Sequence, residues 1–184
     1  DTLSDWSWDP NDPISGCKIM YPGWDTWDLF PKTVKHSGTV TTTFALSPDN
    51  AFYALRDAIR SAQSSIKIEL YTFTSLELMQ EILNKMDQGV QVEVLMDGEV
   101  FGTTGGIYDQ VKWFVTQVVN KGGAAYFLRN PSGSPYPHDR YNNVHIKTII
   151  IDDSKVVISA DNLTRSSMPC DDLSDGTAGN RGAT

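Results

Sequence analysis

The stretch Asn142-Asn143-Val144-His145-Ile146-Lys147-Thr148-Ile149-Ile150-Ile151-Asp152 places a histidine, a lysine two residues on, and an aspartate five residues beyond the lysine. Between the lysine and the aspartate runs the apolar stretch Ile149-Ile150-Ile151. In an extended strand, side chains at i and i+2 share a face. His145 and Lys147 are therefore expected to point the same way, with Ile146 opposite. An imidazole beside an ammonium group makes a poor core pair but suits a phosphate site. The lysine can hold the oxyanion while the histidine attacks phosphorus or transfers a proton. A lone histidine on a strand is more often structural; here the spacing, the tight turn that follows and the units that precede it point together to chemistry.

Those units alternate. Val40 to Leu46 is rich in β-branched and aromatic residues and reads as a strand. Ser47-Pro48-Asp49-Asn50 supplies a helix N-cap with proline at the first helical position. Phe52, Leu55 and Ile59, with Ala51, Ala54, Ala58 and Ala62 close by, form the inner face of a helix. Ser65 to Phe73 (SIKIELYTF) alternates like a strand. Thr74-Ser75-Leu76-Glu77 has the spacing of a capping box. It opens a helix with Leu78, Met79, Ile82, Leu83 and Met86 inward, which stops at Gly89. Val90 to Met96 is the next strand, ending in Asp97-Gly98. A third helix carries Val111, Phe114, Val115 and Val118 and ends at Gly122-Gly123. Ala124 to Leu128 is a short strand, and Arg129 to Asn143 a polar loop leading into the His145 strand. Lys155 to Ser159 is a further strand, joined by a tight turn at Asp153-Ser154. Strands alternating with helices predict an α/β fold, with helices on the sheet faces.

Residues 1–37 differ from this pattern. Trp6, Trp8, Trp24 and Trp27 stand among Asp, Pro and Gly without helical or strand period. They read as an irregular arm or the tail of a preceding domain, with an aromatic-rich binding edge as the alternative. The regular domain is expected over residues 38–184.

At 184 residues the chain has room for one domain plus an appendage. A hydrophobic content of 40% and a mean hydropathy of -0.30 suit a globular protein with a core. No run approaches the ~18 apolar residues of a membrane-spanning helix. The N-terminus shows neither the basic nor the apolar region of a secretory signal. A net charge of -8 argues against a generally basic nucleic-acid-binding surface, though not against a local basic groove. Cys17 and Cys170 lie near opposite ends, and a disulfide and two free thiols both fit. His36, His138 and His145 with two distant cysteines give no metal-ligand spacing. No Gly-x-Ser-x-Gly elbow is present. The Gly102–Gly106 loop is followed by no Gly-Lys-Ser/Thr, so it is not a phosphate-binding P-loop.

The pattern His-x-Lys-x4-Asp, a six-residue spacer and Ser159-Ala160-Asp161-Asn162 resembles the His-Lys-Asp signature of the phospholipase D superfamily, in which Gly-Ser-x-Asn closes the motif. Ser47-Pro48, the SIKIELYTF strand and Gly89-Val90-Gln91-Val92 also resemble that family, over about residues 38–184. Asn162-Leu163-Thr164-Arg165 and Gly179-Asn180-Arg181-Gly182 resemble archaeal and bacterial members with two signature copies. The resemblance implies a phospholipase D/nuclease-like mixed sheet, flanked by helices on both faces. It also implies phosphodiester chemistry through a phosphohistidine, with no metal or other cofactor. His145 would be nucleophile or general acid, and Lys147 and Asn162 would bind phosphate oxygens. Asp152, at an odd offset from His145 along the strand, is expected to brace the turn rather than touch substrate.

The family's Gly-Ser is Ser159-Ala160 here, so the hydroxyl expected at position 160 is missing. Ser159 is a weaker candidate on the opposite strand face unless a bulge redirects it. Family members orient the histidine with a downstream acid, for which Asp172, Asp175, Asn180 and Arg181 give no clear choice. One signature needs a second signature-bearing half, from a homodimer or from a longer chain; the missing initiating Met and the end at Gly182-Ala183-Thr184 favour the longer chain. The substrate expected is a phosphodiester, with DNA or RNA ahead of a phospholipid headgroup because single-signature relatives are frequently nucleases. Lys112, Lys121, Arg129, Arg140 and Lys147 could line a groove for it. A phospholipase or phosphatidyl-transfer activity is the runner-up, and a binding or structural half-domain without turnover the alternative of a different class.

Overall fold

The computed structural model describes residues 37–98, 100, 109–128 and 144–170, and the backbone at 182–183. The chain divides into two units, Asp1–Thr42 and Thr43–Thr184. Every regular element among the described residues lies in the second. In order these are β1 (Leu46–Ser47), α1 (Ala51–Arg60), β2 (Ser65–Leu70), α2 (Leu76–Asp87), β3 (Gln91–Asp97), α3 (Asp109–Asn120), β4 (Ala124–Leu128), β5 (Lys147–Ile151), β6 (Lys155–Ile158) and β7 (Gly182–Ala183).

Five strands form one mixed sheet in the order β4-β3-β2-β5-β6. β2, β3 and β4 are parallel neighbours, whereas β5 runs antiparallel to both β2 and β6. Strand alternation sorts the side chains. Ile66, Ile68 and Leu70 of β2, Val92, Val94 and Met96 of β3, and Ile149 and Ile151 of β5 are all buried. They share one core with Leu55 and Ile59 of α1, Leu78, Met79, Ile82 and Leu83 of α2, and Val111, Phe114 and Val118 of α3. The three described helices thus cover one sheet face, each through the apolar stripe its sequence carries. Of the helices expected on both faces, the described residues supply this one layer. The opposite face carries Lys67, Glu69, Glu93, Leu95, Tyr126, Thr148 and Ile150 along a shallow open groove.

Glycines end two helices for the same reason. Gly89 and Gly122 have φ of 90° and 85°, where a side chain is strained. After α2, the Gly89 N–H reaches the Met86 carbonyl and the Val90 N–H that of Lys85, at 2.9 and 3.1 Å. After α3, Gly122 and Gly123 repeat the pattern onto Val119 and Val118, both at 2.9 Å. Each pair closes the last turn with a Schellman motif.

The structure corrects several expectations. The strand expected over Val40 to Leu46 is reduced to Leu46–Ser47, and Val40 and Phe44 are both 82% exposed. β-branched composition suits a pleated surface but cannot make a strand without a partner. Among the described residues, β1 pairs only with the two residues of β7. Helix α1 begins at Ala51 with Asn50 as N-cap, so Pro48 lies in the preceding turn. The Asn50 side chain accepts from Leu46 N–H at 2.8 Å instead of capping the helix. Ser75, not Thr74, is the N-cap of α2, and no side chain caps it. β2 stops at Leu70, and Phe73 makes only an isolated bridge to Leu163.

Candidate active site

His145 precedes β5, and Lys147 is its first residue. The two side chains meet: Lys147 Nζ lies 3.3 Å from His145 Nδ1, 3.2 Å from Nε2 and 3.1 Å from the His145 carbonyl oxygen. His145 is exposed and Lys147 buried, so the ammonium sits beneath a reachable ring. Burial pushes the Lys147 ammonium below its ordinary value, against the opposing pull of the Asp161 carboxylate. A desolvated cation is a strong anion ligand because less hydration must be stripped when a phosphate arrives.

Three loops surround this pair. Tyr71, just past β2, stacks its ring against His145 at 4.8 Å with planes tilted by 59°, and Lys147 Nζ lies 5.7 Å from the same ring. Tyr71 N–H also donates to the Ile146 carbonyl at 3.1 Å. From the end of β3, buried Asp97 Oδ2 accepts the Val144 N–H at 2.7 Å. From the end of β6, Ser159 N–H donates to the Lys147 carbonyl at 2.9 Å. The Ser159 hydroxyl donates to the Asp161 carbonyl at 2.9 Å and accepts from the Asp161 N–H at 3.1 Å, tying up the loop that leads to Asn162. Leu163 O then takes N–H groups from Thr74 and Ser75 at 2.9 and 3.1 Å, fixing this loop to the one after β2. Among the described residues, Asp161 Oδ2 and Asn162 Oδ1 are buried without a hydrogen-bond partner. Groups of that kind are costly unless a ligand or solvent meets them. Ala160, where the signature has a hydroxyl, is exposed.

Asp152 stands at the other end of β5, about 17 Å along the strand from Lys147. The reason differs from strand parity. β5 ends at Ile151, and Asp152 and Asp153 have φ of 53° and 50°, in a turn closed by Ser154 N–H onto the Ile151 carbonyl at 3.1 Å. The Asp152 carboxylate accepts N–H groups from Gln63 (2.9 Å), Ser64 (2.8 Å) and Ser65 (3.0 Å) and the Ser64 hydroxyl (2.9 Å). The backbone donors, Ser65 first, hold its pKa well below the usual carboxylate range.

Sequence reasoning missed Tyr71 and Asp97. Both lie at the carboxyl ends of parallel strands, where open α/β sheets place their sites, and that position was the available signal. Asp172, Asp175, Asn180, Arg181, Arg129, Arg140, the Gly102–Gly106 loop, the tryptophan-rich arm and Cys17 lie outside the described residues. The Cys170 thiol donates to Glu77 Oε1 at 3.5 Å. Among the described residues, no helix is long and apolar enough to cross a membrane.

A family model described as "Cardiolipin synthase, PLD-like domain" matches residues 55–174. Among solved structures, the chain is similar to Nuc from Salmonella typhimurium, a phospholipase D family member. That match has 21% identity and a TM-score of 0.56, and covers 77% of this chain and 78% of that one. It is also similar to NucT from Helicobacter pylori, at 20% identity and a TM-score of 0.55, over 77% of this chain and 80% of that one. None of the curated proteins compared with it matches significantly. The family match spans well over half of the 184 residues and takes in His145, Lys147, Asp152 and Asn162; the chain belongs to the phospholipase D-like family.

Proposed function

We propose that this chain is one half of a metal-independent phosphodiesterase that works through a phosphohistidine at His145. In this reading Lys147 and Asn162 hold the phosphate oxygens. A ring nitrogen of His145 attacks phosphorus; the N–P bond forms as the P–O bond to the leaving group breaks. The leaving oxygen takes a proton from the histidine of a second signature-bearing half, brought by a homodimer or by a longer chain. That histidine then removes a proton from water. The water oxygen bonds to phosphorus as the N–P bond breaks, which restores His145 and releases a phosphomonoester. The observation that carries the reading is the buried Lys147 ammonium held 3.2 Å from an exposed imidazole. A positive charge at that place stabilises the oxyanion as it develops.

Nucleic acid is the substrate class we propose first, on the single signature. A phospholipid is the second reading, and two observations favour it. The matching family model carries the name of cardiolipin synthase, a lipid enzyme. Lys112 and Lys121, expected to line a nucleic-acid groove, each form an ion pair within the chain, with Asp109 and Asp87.

The test compares wild type with His145→Ala in two assays containing EDTA: cleavage of single-stranded DNA, and headgroup release from phosphatidylcholine. Acid-quenched reactions with labelled substrate should leave label on wild type and none on the variant. Identical behaviour of the two proteins in both assays, with no retained label, sinks the catalytic reading and leaves a binding half-domain. Solution mass at several concentrations tests the second half, since a strict monomer cannot supply two histidines.

A further inference from the structure

We propose that Asp97 is a positioning residue for His145, holding the backbone from which the imidazole meets its substrate. This rests on the phosphohistidine reading above. His145 lies just outside the regular β2–β5 ladder, whose last pair is Leu70 with Lys147. Its backbone is therefore held through the residues on either side of it, beside the direct contacts of Lys147 and Tyr71. On one side the Val144 N–H donates to Asp97 Oδ2 at 2.7 Å; on the other the Ile146 carbonyl accepts from Tyr71 N–H at 3.1 Å. The first of these bonds is made by a side chain, and it is short and buried. Asp97 is 1% exposed and Val144 6% exposed, so water does not compete well for either group.

The sheet order explains why an aspartate is needed there. β2 separates β3 from β5, so no ladder bond can run from β3 to the start of β5. A carboxylate at the last position of β3 spans that gap and ties together two segments 47 residues apart. Asp97 acts on the chemistry through the Val144 amide and the backbone of His145. A small displacement of a reacting group costs about 100-fold in rate.

The test uses Asp97→Asn, which keeps the shape and an acceptor oxygen, and Asp97→Ala, which removes both. Each is assayed for phosphodiesterase turnover and for the proton resonances of the His145 ring, identified by their loss in His145→Ala. Those protons lie against the Tyr71 ring and so report where the imidazole sits. The expected result is kcat lowered about 100-fold in Asp97→Ala with KM within about twofold. The His145 resonances should shift toward those of free histidine, and Asp97→Asn should fall between Asp97→Ala and wild type on both measures. Should Asp97→Ala fail to fold, Asp97→Asn carries the test through the same two readouts. Unmoved His145 resonances in the folded variant, or a loss appearing in KM rather than kcat, overturn the proposal. If wild type turns over no phosphodiester, the functional reading falls by itself, and the resonance measurement alone decides whether Asp97 positions His145.

Discussion

The Lys147 ammonium is nearly equidistant from the two ring nitrogens of His145, at 3.2 and 3.3 Å. It therefore sits against the imidazole instead of in line with one nitrogen. Lys147→Met should keep the packing and remove the charge. We expect turnover to fall by about 1,000-fold, as when an oxyanion ligand is lost, and the urea midpoint at pH 7 to rise. Burial lowers the pKa of Lys147 in the folded state, so its charged form disfavours folding below that pKa, and the effect vanishes above the unfolded value near 10.4. The stability gain of the variant should accordingly shrink as pH rises toward 10. Urea titrations at both pH values check this; a destabilised Lys147→Met at pH 7 contradicts it.

Asp161 opposes the effect of burial on Lys147. Asp161→Asn removes that support, so the lysine should lose its proton at lower pH. The alkaline limb of the activity profile should move to lower pH, with the acid limb in place. An unchanged alkaline limb would mean that the charge on Lys147 does not limit turnover there.

The hydroxyl of Ser159 is bonded to both backbone groups of Asp161 and is not placed to replace one at position 160. Ala160→Ser should raise kcat about 10-fold, the worth of one hydrogen bond made in the transition state. No gain in kcat would show that the missing hydroxyl is not what limits the rate.

Asp152→Ala should lower stability, with the full loss seen at neutral pH. The folded carboxylate has a depressed pKa, so its contribution is present above the unfolded value near 3.9 and disappears as pH falls below it. Unfolding midpoints of the two proteins should therefore converge on acidification. A gap that stays constant down to pH 3 would show that the contact acts without charge.

Much of the fold could be read from local pattern. The inward faces of α1, α2 and α3, the span of β4 and the Schellman glycines each follow from periodicity or backbone freedom within a dozen residues. His145 and Lys147 lie two residues apart, so their meeting was also a local matter. What escaped was set by distant partners. Val40 to Ala45 has strand composition but joins no ladder among the described residues. Asp97 and Tyr71 reach the site because β2 ends beside the start of β5 and β3 ends on the far side of β2, a relation over 47 residues for Asp97 and Val144. Asp152 was assigned to bracing, but from an assumed strand parity where the structure has a left-handed turn.

Asp152 and Ser65 exchange backbone and side-chain hydrogen bonds where β2 begins, and the ladder from that point to Leu70 and Lys147 has no bulge. The four residues between Lys147 and Asp152 are thus a measured length. Adding or removing one would turn Lys147 to the other sheet face, and a shift of two would carry its ammonium about 7 Å from the loops that receive it. The spacing in the motif counts the rungs between a lock at one end of β5 and the site at the other.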